Sequence, residues 1–428
     1  MLPALVLVAV AALPALDPAD ARHLLARTGF GPSRTEIEKI EPLSRAQAVD
    51  ALLAGIRTTS TTAPPPFEQL LPWKRRDSTL DKVQFVIARK EEAQQLKAWW
   101  ANEMLTTTSP LTEHMVLFWA NHFTSSLQKV KAPQLLLEQN ELYRREGAGN
   151  FKTLLRDVVD DRAMLVYLDG AKNEAKAPNE NFARELLELF TLGEGHYSEH
   201  DVKEAARALS GTTISPQSGA VITPFFRHDR GAKTFLGVTG KLDKNDVVEI
   251  LLQQPRTSEL IVEKLWRDLI SPTPDDAQVK VLAASFRKDY EIKPLLRALL
   301  LSDAFWSKDN RGVLVKSPVD LVVGSARALE LTADGDGNPS PQWIAYTVGT
   351  LGEDLFDPPN VKGWPGGERW VTTLTLPERE KLAREAVAAS KIGDDKRVAL
   401  ATLLLPLNGV DGDGSLEGIA RDPAFQLK

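Results

Sequence analysis

The chain has 428 residues, 43% hydrophobic and 26% charged, a globular composition that excludes a disordered protein. Its formal net charge of −6 excludes a general nucleic-acid binder, because neutralising phosphates takes a basic surface. No cysteine is present, which excludes disulfides, thiolate metal sites and a cysteine nucleophile together.

The opening "MLPALVLVAVAALPALDPADA" holds an apolar run as long as a signal-peptide core and too short to span a bilayer. Ala19, Asp20 and Ala21 resemble a cleavage site, although no Lys or Arg precedes Arg22. Residues 1–21 are therefore the candidate signal peptide, with a buried N-terminal helix as the competing reading. Export to the periplasm or beyond is the expected localisation. No other segment is apolar enough to cross a membrane, so an integral membrane protein is not expected. Residues 22–428 are read as one unit, although the length also admits two subdomains.

Apolar residues at three- and four-residue spacings dominate the rest, as in "RTEIEKIEPLSRAQAVDALLAGI" from Arg34 and "DVVEILLQQPRTSELIVEKLWRDLI" from Asp246. The expected fold is a mainly α, multi-helix body. Residues 58–67, "TTSTTAPPPF", read as a Thr/Pro-rich loop, and Lys74, Arg75 and Arg76 as a solvated helix start. Residues 219–243 mix β-branched, aromatic and glycine residues, which predicts a small extended or hairpin insertion. Asp334, Asp336 and Asn338 match three ligand positions of a calcium loop. Pro339 then stands where that loop needs glycine and Ala345 where it needs glutamate, so a turn is predicted. The acidic tract at 410–418 fails in the same way, with Leu416 in the glycine position.

Three stretches carry residues suited to chemistry. In "SPLTEHMVLFWANHFTSS", Ser109 and Pro110 mark a helix start, and hydrophobic residues cover most of the circumference. His114 and His122 should then be buried, each with a partner: backbone, carboxylate or metal. In "NENFARELLELFTLGEGHYSEHDVKEAARALSG", Asn181, Glu185 and Glu188 share one stripe of a helical wheel, opposite Phe182, Leu186, Leu189 and Phe190. Gly193 is placed as the cap and Ser198 as the next N-cap, with Asp201 and Glu204 on the following helix. Glu185 and Glu188 could divide into acid and base or ligate a hard cation. They could equally form a solvated face with Arg184 pairing locally. In "FFRHDRGAKTFLG", His228 and Asp229 could supply a base beside Lys233, or Asp229 could simply cap the turn. Trp364 and Trp370 sit on a Pro/Gly-rich loop, able to stack on a ligand or to plug the loop onto the core.

Several strings together resemble the bacterial family catalogued as domain of unknown function 1800. They are "HLLARTGFGPS", "MVLFWANHF", the long stretch from Asn179 to Gly211, "HDRGAKTFLG", "LVKSPVDLVVG", "PPNVKGWPGG" and "RDPAFQLK". The resemblance implies a mainly helical, exported bacterial protein whose partner is another exported protein encoded nearby. Two departures stand out. Ala120 occupies a position where the family pattern has histidine, and Ser210, Gly211 and Thr212 replace Thr-Gly-Trp. If that histidine is a metal ligand, this chain binds metal weakly or not at all.

Two functions are expected from these residues. One is a hydrolase or lyase acting on a glycan or other envelope polymer. Glu185, Glu188, His228, Asp229 and Arg184 would be its catalytic groups, Trp364, Trp370, Lys233 and Asn181 its substrate contacts. His122, Glu185 and Asp201 would hold a divalent metal. The other is a non-catalytic envelope assembly or binding protein in which the same polar residues fix helix packing. A nucleotide-dependent oxidoreductase is disfavoured, because no G-x-G-x-x-G follows a strand.

Overall fold

The computed structural model describes residues 14–67, 79–331, 339–390, 401, 403–406 and 415–428. The first thirteen residues, Lys74 to Arg76, the tract containing Asp334, Asp336 and Asn338, and residues 410–414 lie outside the described residues. The chain is 61% helix and 4% strand, mainly α as the periodicity predicts. Among the described residues, no helix is long and apolar enough to cross a membrane.

Local chemistry starts most helices. α1 (Pro18–Thr28) is capped by Asp17, while α2 (Arg34–Ile40) and α3 (Arg45–Ala54) open on capping boxes at Ser33 and Ser44. Residues 58–67 carry no helix or strand, and Glu103 anchors this segment by accepting from the Thr61 and Thr62 amides. α4 (Thr79–Thr106) packs along α7 (Pro133–Glu146), and α5 (Pro110–His122) lies against both. Trp100, Trp119, Phe123 and Phe151 fill the space between these helices, and the Trp119 indole donates to the Gly147 carbonyl. Buried apolar residues from Leu16 to Phe425 join one continuous core.

α10 (Asn181–Glu185) does not continue as an α-helix. Leu186–Thr191 is a π-helical turn, with the Leu192 amide donating to Leu187, five residues back. The α-helical wheel therefore applies only as far as Glu185. Phe182, Leu186 and Phe190 are nevertheless buried, whereas Leu189 is only partly so. Gly193 has φ +83°, as a helix-ending glycine requires, and Ser198 caps α11 (Glu199–Ala208) in a capping box with Asp201.

The predicted extended insertion is two antiparallel hairpins. β1 (Thr213–Ile214) pairs with β2 (Val221–Ile222), so the first hairpin begins before residue 219. β3 (Lys233–Phe235) pairs with β4 (Val238–Gly240). The turn residues Leu236 and Gly237 both have positive φ, as a two-residue primed turn demands. Downstream, α13 (Pro255–Leu269) packs against the π turn and α1. α17 (Pro318–Ala328) crosses α4 and α18 (Pro341–Thr350).

Candidate functional site

Asp201 and Glu204 of α11 hold the hairpins. Asp201 Oδ2 accepts from the amide and hydroxyl of Ser198, while its Oδ1 accepts from the Leu236 amide at 2.8 Å. Glu204 Oε2 accepts from the Thr234 amide, and its Oε1 accepts from Arg207. Arg207 in turn donates to Asp229 Oδ2 at 2.7 Å, and that bond keeps the Asp229 carboxyl below its ordinary range. Asp229 also accepts from the Gly231 amide, the turn-capping role. Lys233 is 1% exposed, and its ammonium donates to the Asp229 and Gly231 carbonyls. Lys233, expected to contact substrate, directs its charge at the protein's own loop.

His228 Nδ1 donates to the Ser210 carbonyl at 2.9 Å, which fixes the ring against the end of α11. A Cβ on Gly211 would stand 2.8 Å from the His228 amide nitrogen, so the loop can approach this closely only at a glycine.

His122 is 4% exposed and both of its ring nitrogens are committed. Nε2 faces the Phe190 carbonyl at 3.2 Å and must carry the proton, because a carbonyl only accepts. Nδ1 then presents a lone pair to the Lys264 ammonium at 2.8 Å, and Lys264 also donates to the Leu189 carbonyl. Burial, then the Lys264 charge, holds His122 well below its usual pKa, and burial pushes Lys264 down to about 8. The imidazole is neutral, with no lone pair left for a metal. The expected ligand set of His122, Glu185 and Asp201 does not assemble. Among the described residues, no three His, Asp or Glu side chains are disposed to hold an ion. Asp201 and His122 fail for one reason: their acceptor atoms are filled by protein donors.

The two tryptophans, expected as substrate contacts, are both turned inward. Trp364 and Trp370 are each 5% exposed. The Trp364 amide donates to Asn121 Oδ1, and Gly363 (φ +85°) leaves room for that carboxamide. The Trp364 ring borders a small cavity beside Ala120, about 10 Å³ measured at water-molecule centres. Both amide atoms of Asn140 and the Trp364 Nε1 are buried here without a hydrogen-bond partner. One water would fit. Position 120, where the family pattern has histidine, thus faces an unsatisfied polar niche.

What remains of the expected constellation is the face carrying Glu185 and Glu188. Arg184 bridges α10 to α11 through Glu199 at 2.7 and 2.8 Å, with Glu180 at 3.3 Å. The exposed Asn181 donates its carboxamide N–H to the Leu168 carbonyl, closing the helix start. Glu188 accepts from the Tyr197 hydroxyl at 2.8 Å. Glu185 is half-buried, and its carboxylate has no hydrogen bond from any described group. Burial, then Glu188, raises its pKa, opposed by Arg184 and Lys362. Burial, then the nearby Asp357 and Glu185, raises the Tyr167 phenol. Glu185 and Glu188 are therefore brought together, with Arg184 beside them. His122, His228, Asp229 and Asp201 each belong to other networks.

Tyr197, Tyr167, Lys362 and Lys264 were not singled out by sequence reasoning. Tyr197 carried a usable signal, since it lies in the same quoted stretch as its partner Glu188. Lys264 interrupts an apolar helical face, which also could have marked it.

Glu185 gives a pH prediction. A carboxyl raised in the folded state binds more protons folded than unfolded, so stability falls as pH rises through its titration. Glu185→Gln removes that loss, and its unfolding free energy should gain on the unaltered protein between pH 4 and pH 7. The gain should stay under about 1 kcal/mol, because solvent reaches the carboxylate. Urea unfolding at the two pH values measures it. An equal difference at both would mean the carboxyl is not desolvated.

A family model described as "Protein of unknown function (DUF1800)" matches residues 23–415. No curated protein and no solved structure matches the chain.

Proposed function

For a chain that belongs to the DUF1800 family, whose description assigns no activity, we propose a non-catalytic role: a component of an envelope assembly that docks a partner protein through the hairpin arm at residues 213–240. The observation that carries this reading is the exposure of Phe225 and Phe226, 68% and 82%, on an arm clamped from below. Asp201, Glu204 and His228 hold that arm by hydrogen bonds, so the aromatic pair in the turn between its two hairpins is presented in one position. Arg230 stacks over Phe225 at 3.6 Å, and Ile222 adds apolar surface. Large exposed aromatics on a preorganised support lose little entropy on binding and are typical anchors of protein interfaces. The polar residues that a convergent hydrolytic cleft would need are instead distributed among separate structural networks, which favours the same reading.

The test takes as partner a neighbouring exported protein of the kind the family resemblance implies, purified and titrated by calorimetry. Phe225→Ser combined with Phe226→Ser should weaken binding at least about tenfold, the scale of one lost anchor. The melting temperature should be unchanged, because both rings face solvent. Equal binding by the double variant would overturn the proposal.

A second reading is acid–base hydrolysis of an envelope glycan, and one observation favours it: the desolvated, unbonded carboxyl of Glu185 beside Glu188 and Tyr197. Release of new reducing ends from envelope glycan by the unaltered protein, abolished in Glu185→Gln, would establish that reading over the first.

A further inference from the structure

Far from the hairpins in sequence, three segments converge on a cavity. Arg22 comes from α1, Lys316 and Asp320 from the start of α17, and Lys428 from the closing segment. The closing segment is fixed by backbone pairing: the Lys316 amide donates to the Gln426 carbonyl and the Lys428 amide to the Leu314 carbonyl. One wall is the contact of Phe30 and Gly31 with Gly324 of α17. The cavity measures about 20 Å³ at water-molecule centres, above the roughly 10–15 Å³ that one water needs.

Its described lining is mainly basic. Lys428 pairs with Asp320 at 2.6 Å, both nearly sequestered from solvent. Lys316 donates only to carbonyls, of Phe425 at 2.8 Å and Leu404 at 3.4 Å. Arg22 is 2% exposed, and no described residue offers its guanidinium a hydrogen bond or an ion pair. Among the described residues, the side chains of Arg22, Lys316 and Lys428 thus border the cavity with that of Asp320, and Glu353 stands behind Lys428. Behind them Arg379, fully buried, bonds to the Gln426 side chain and the Lys316 carbonyl, with Asp320 and Glu353 near enough to support its charge. Buried charge is normally paired, since an isolated ion costs several kcal/mol of desolvation. Burial and the nearby Arg311 push Arg22 down to about 9, and burial with the surrounding cations pushes Lys316 down to about 7.

We propose that this cavity binds a small oxyanion of the phosphate or sulfate class, gripped by the Arg22 guanidinium fork with Lys316 and Lys428 around it. The planar fork offers parallel N–H donors that match two oxygens of such an anion, which a water molecule cannot neutralise. The cavity is too small and too enclosed for a peptide or a polymer end. It is separate from the Glu185 face and from the hairpin arm, so its occupancy does not depend on either functional reading.

The experiment begins with protein dialysed into phosphate- and sulfate-free buffer containing chloride. Equilibrium dialysis with radiolabelled inorganic phosphate, then with labelled sulfate, should find saturable binding of one anion per chain, at least about tenfold tighter than chloride by competition. The melting temperature should rise with the logarithm of anion concentration above the dissociation constant. Arg22→Met should fold, because replacing an unpaired buried cation with an apolar chain is neutral or stabilising, and should lose the saturable binding. Lys316→Met should weaken it without abolishing it. No labelled anion bound by the unaltered protein would overturn the proposal. So would undiminished binding in Arg22→Met, or a melting temperature that climbs with sulfate without saturating, the mark of surface exclusion. Should Arg22→Met fail to fold, the stoichiometry on the unaltered protein and the Lys316→Met comparison decide the question.

Discussion

Glu113→Ala is expected to lower the unfolding free energy by about 3–5 kcal/mol, the usual cost of breaking a buried ion pair from one side. Glu113 and Arg144 are 1% and 0% exposed in their side chains. Arg144 Nε and Nη2 each donate to Glu113 at 2.7 Å, and the Trp100 indole donates to the same carboxylate at 3.0 Å. Removing the carboxylate strands a guanidinium whose Nη1 already has no partner, and leaves an indole N–H unsatisfied. The loss would separate α5 from both α4 and α7, the helices around which the core is built. The double change Glu113→Met with Arg144→Met should recover most of the loss, since a matched apolar pair carries no desolvation penalty. Urea unfolding of the single and double variants checks both statements. A single-variant loss under about 1 kcal/mol would contradict the drawn pair.

Gly324→Ala is expected to destabilise by about 2–3 kcal/mol, against the direction that helix propensity gives. Alanine is better than glycine inside a helix by about 1 kcal/mol. Here a Cβ would stand 2.0 Å from the Phe30 carbonyl oxygen, a backbone atom that cannot rotate away. Gly31, with φ +103°, meets Gly324 from the other side, its own Cβ position 3.1 Å from the Gly324 Cα. Relief would require α17 to retreat from the end of α1, which is overpacking of the costly kind. A melting curve decides between the two effects: a rise favours propensity and a fall favours packing. The same shift would reshape the Arg22 cavity, so phosphate binding should weaken in this variant.

Local order was legible in the sequence because its causes are local. Ser198 with Asp201, Ser109 with Pro110, and the positive-φ Gly193 announce helix ends within a few residues. The mixed composition near residues 219–243 likewise announced hairpins. The partners of the polar residues were not legible, because they come from distant chain. Asp201 meets Leu236, Glu204 meets Thr234, and His122 meets Lys264, 142 positions away. Acidic residues that seemed available for chemistry had in fact been claimed by amides of a hairpin. The inward placement of the tryptophans of the 355–371 loop was not legible for a similar reason. A rigid Pro/Gly scaffold serves equally to expose a ring or to drive it inward, and here both rings are driven inward. Lys316 and Lys428 stood within quoted motifs without attracting notice, since a lone lysine acquires meaning only from what surrounds it.

The π turn at Leu186–Thr191 makes the length of this stretch a determinant of its geometry. A wide turn holds one residue more than an α turn, and its closing carbonyls at Leu189, Phe190 and Leu192 serve Lys264, His122 and Arg256. Excising a single residue here would let the helix relax to ordinary winding. Six residues of π winding turn the chain about as far as five of α winding, so the segment after the cut would keep its direction. Tyr197 would still face Glu188 and Arg184 would still face Glu199. A chain one residue shorter at this point would keep its hydrophobic pattern and its acidic face, and would lose the freed carbonyls that anchor Lys264 and His122.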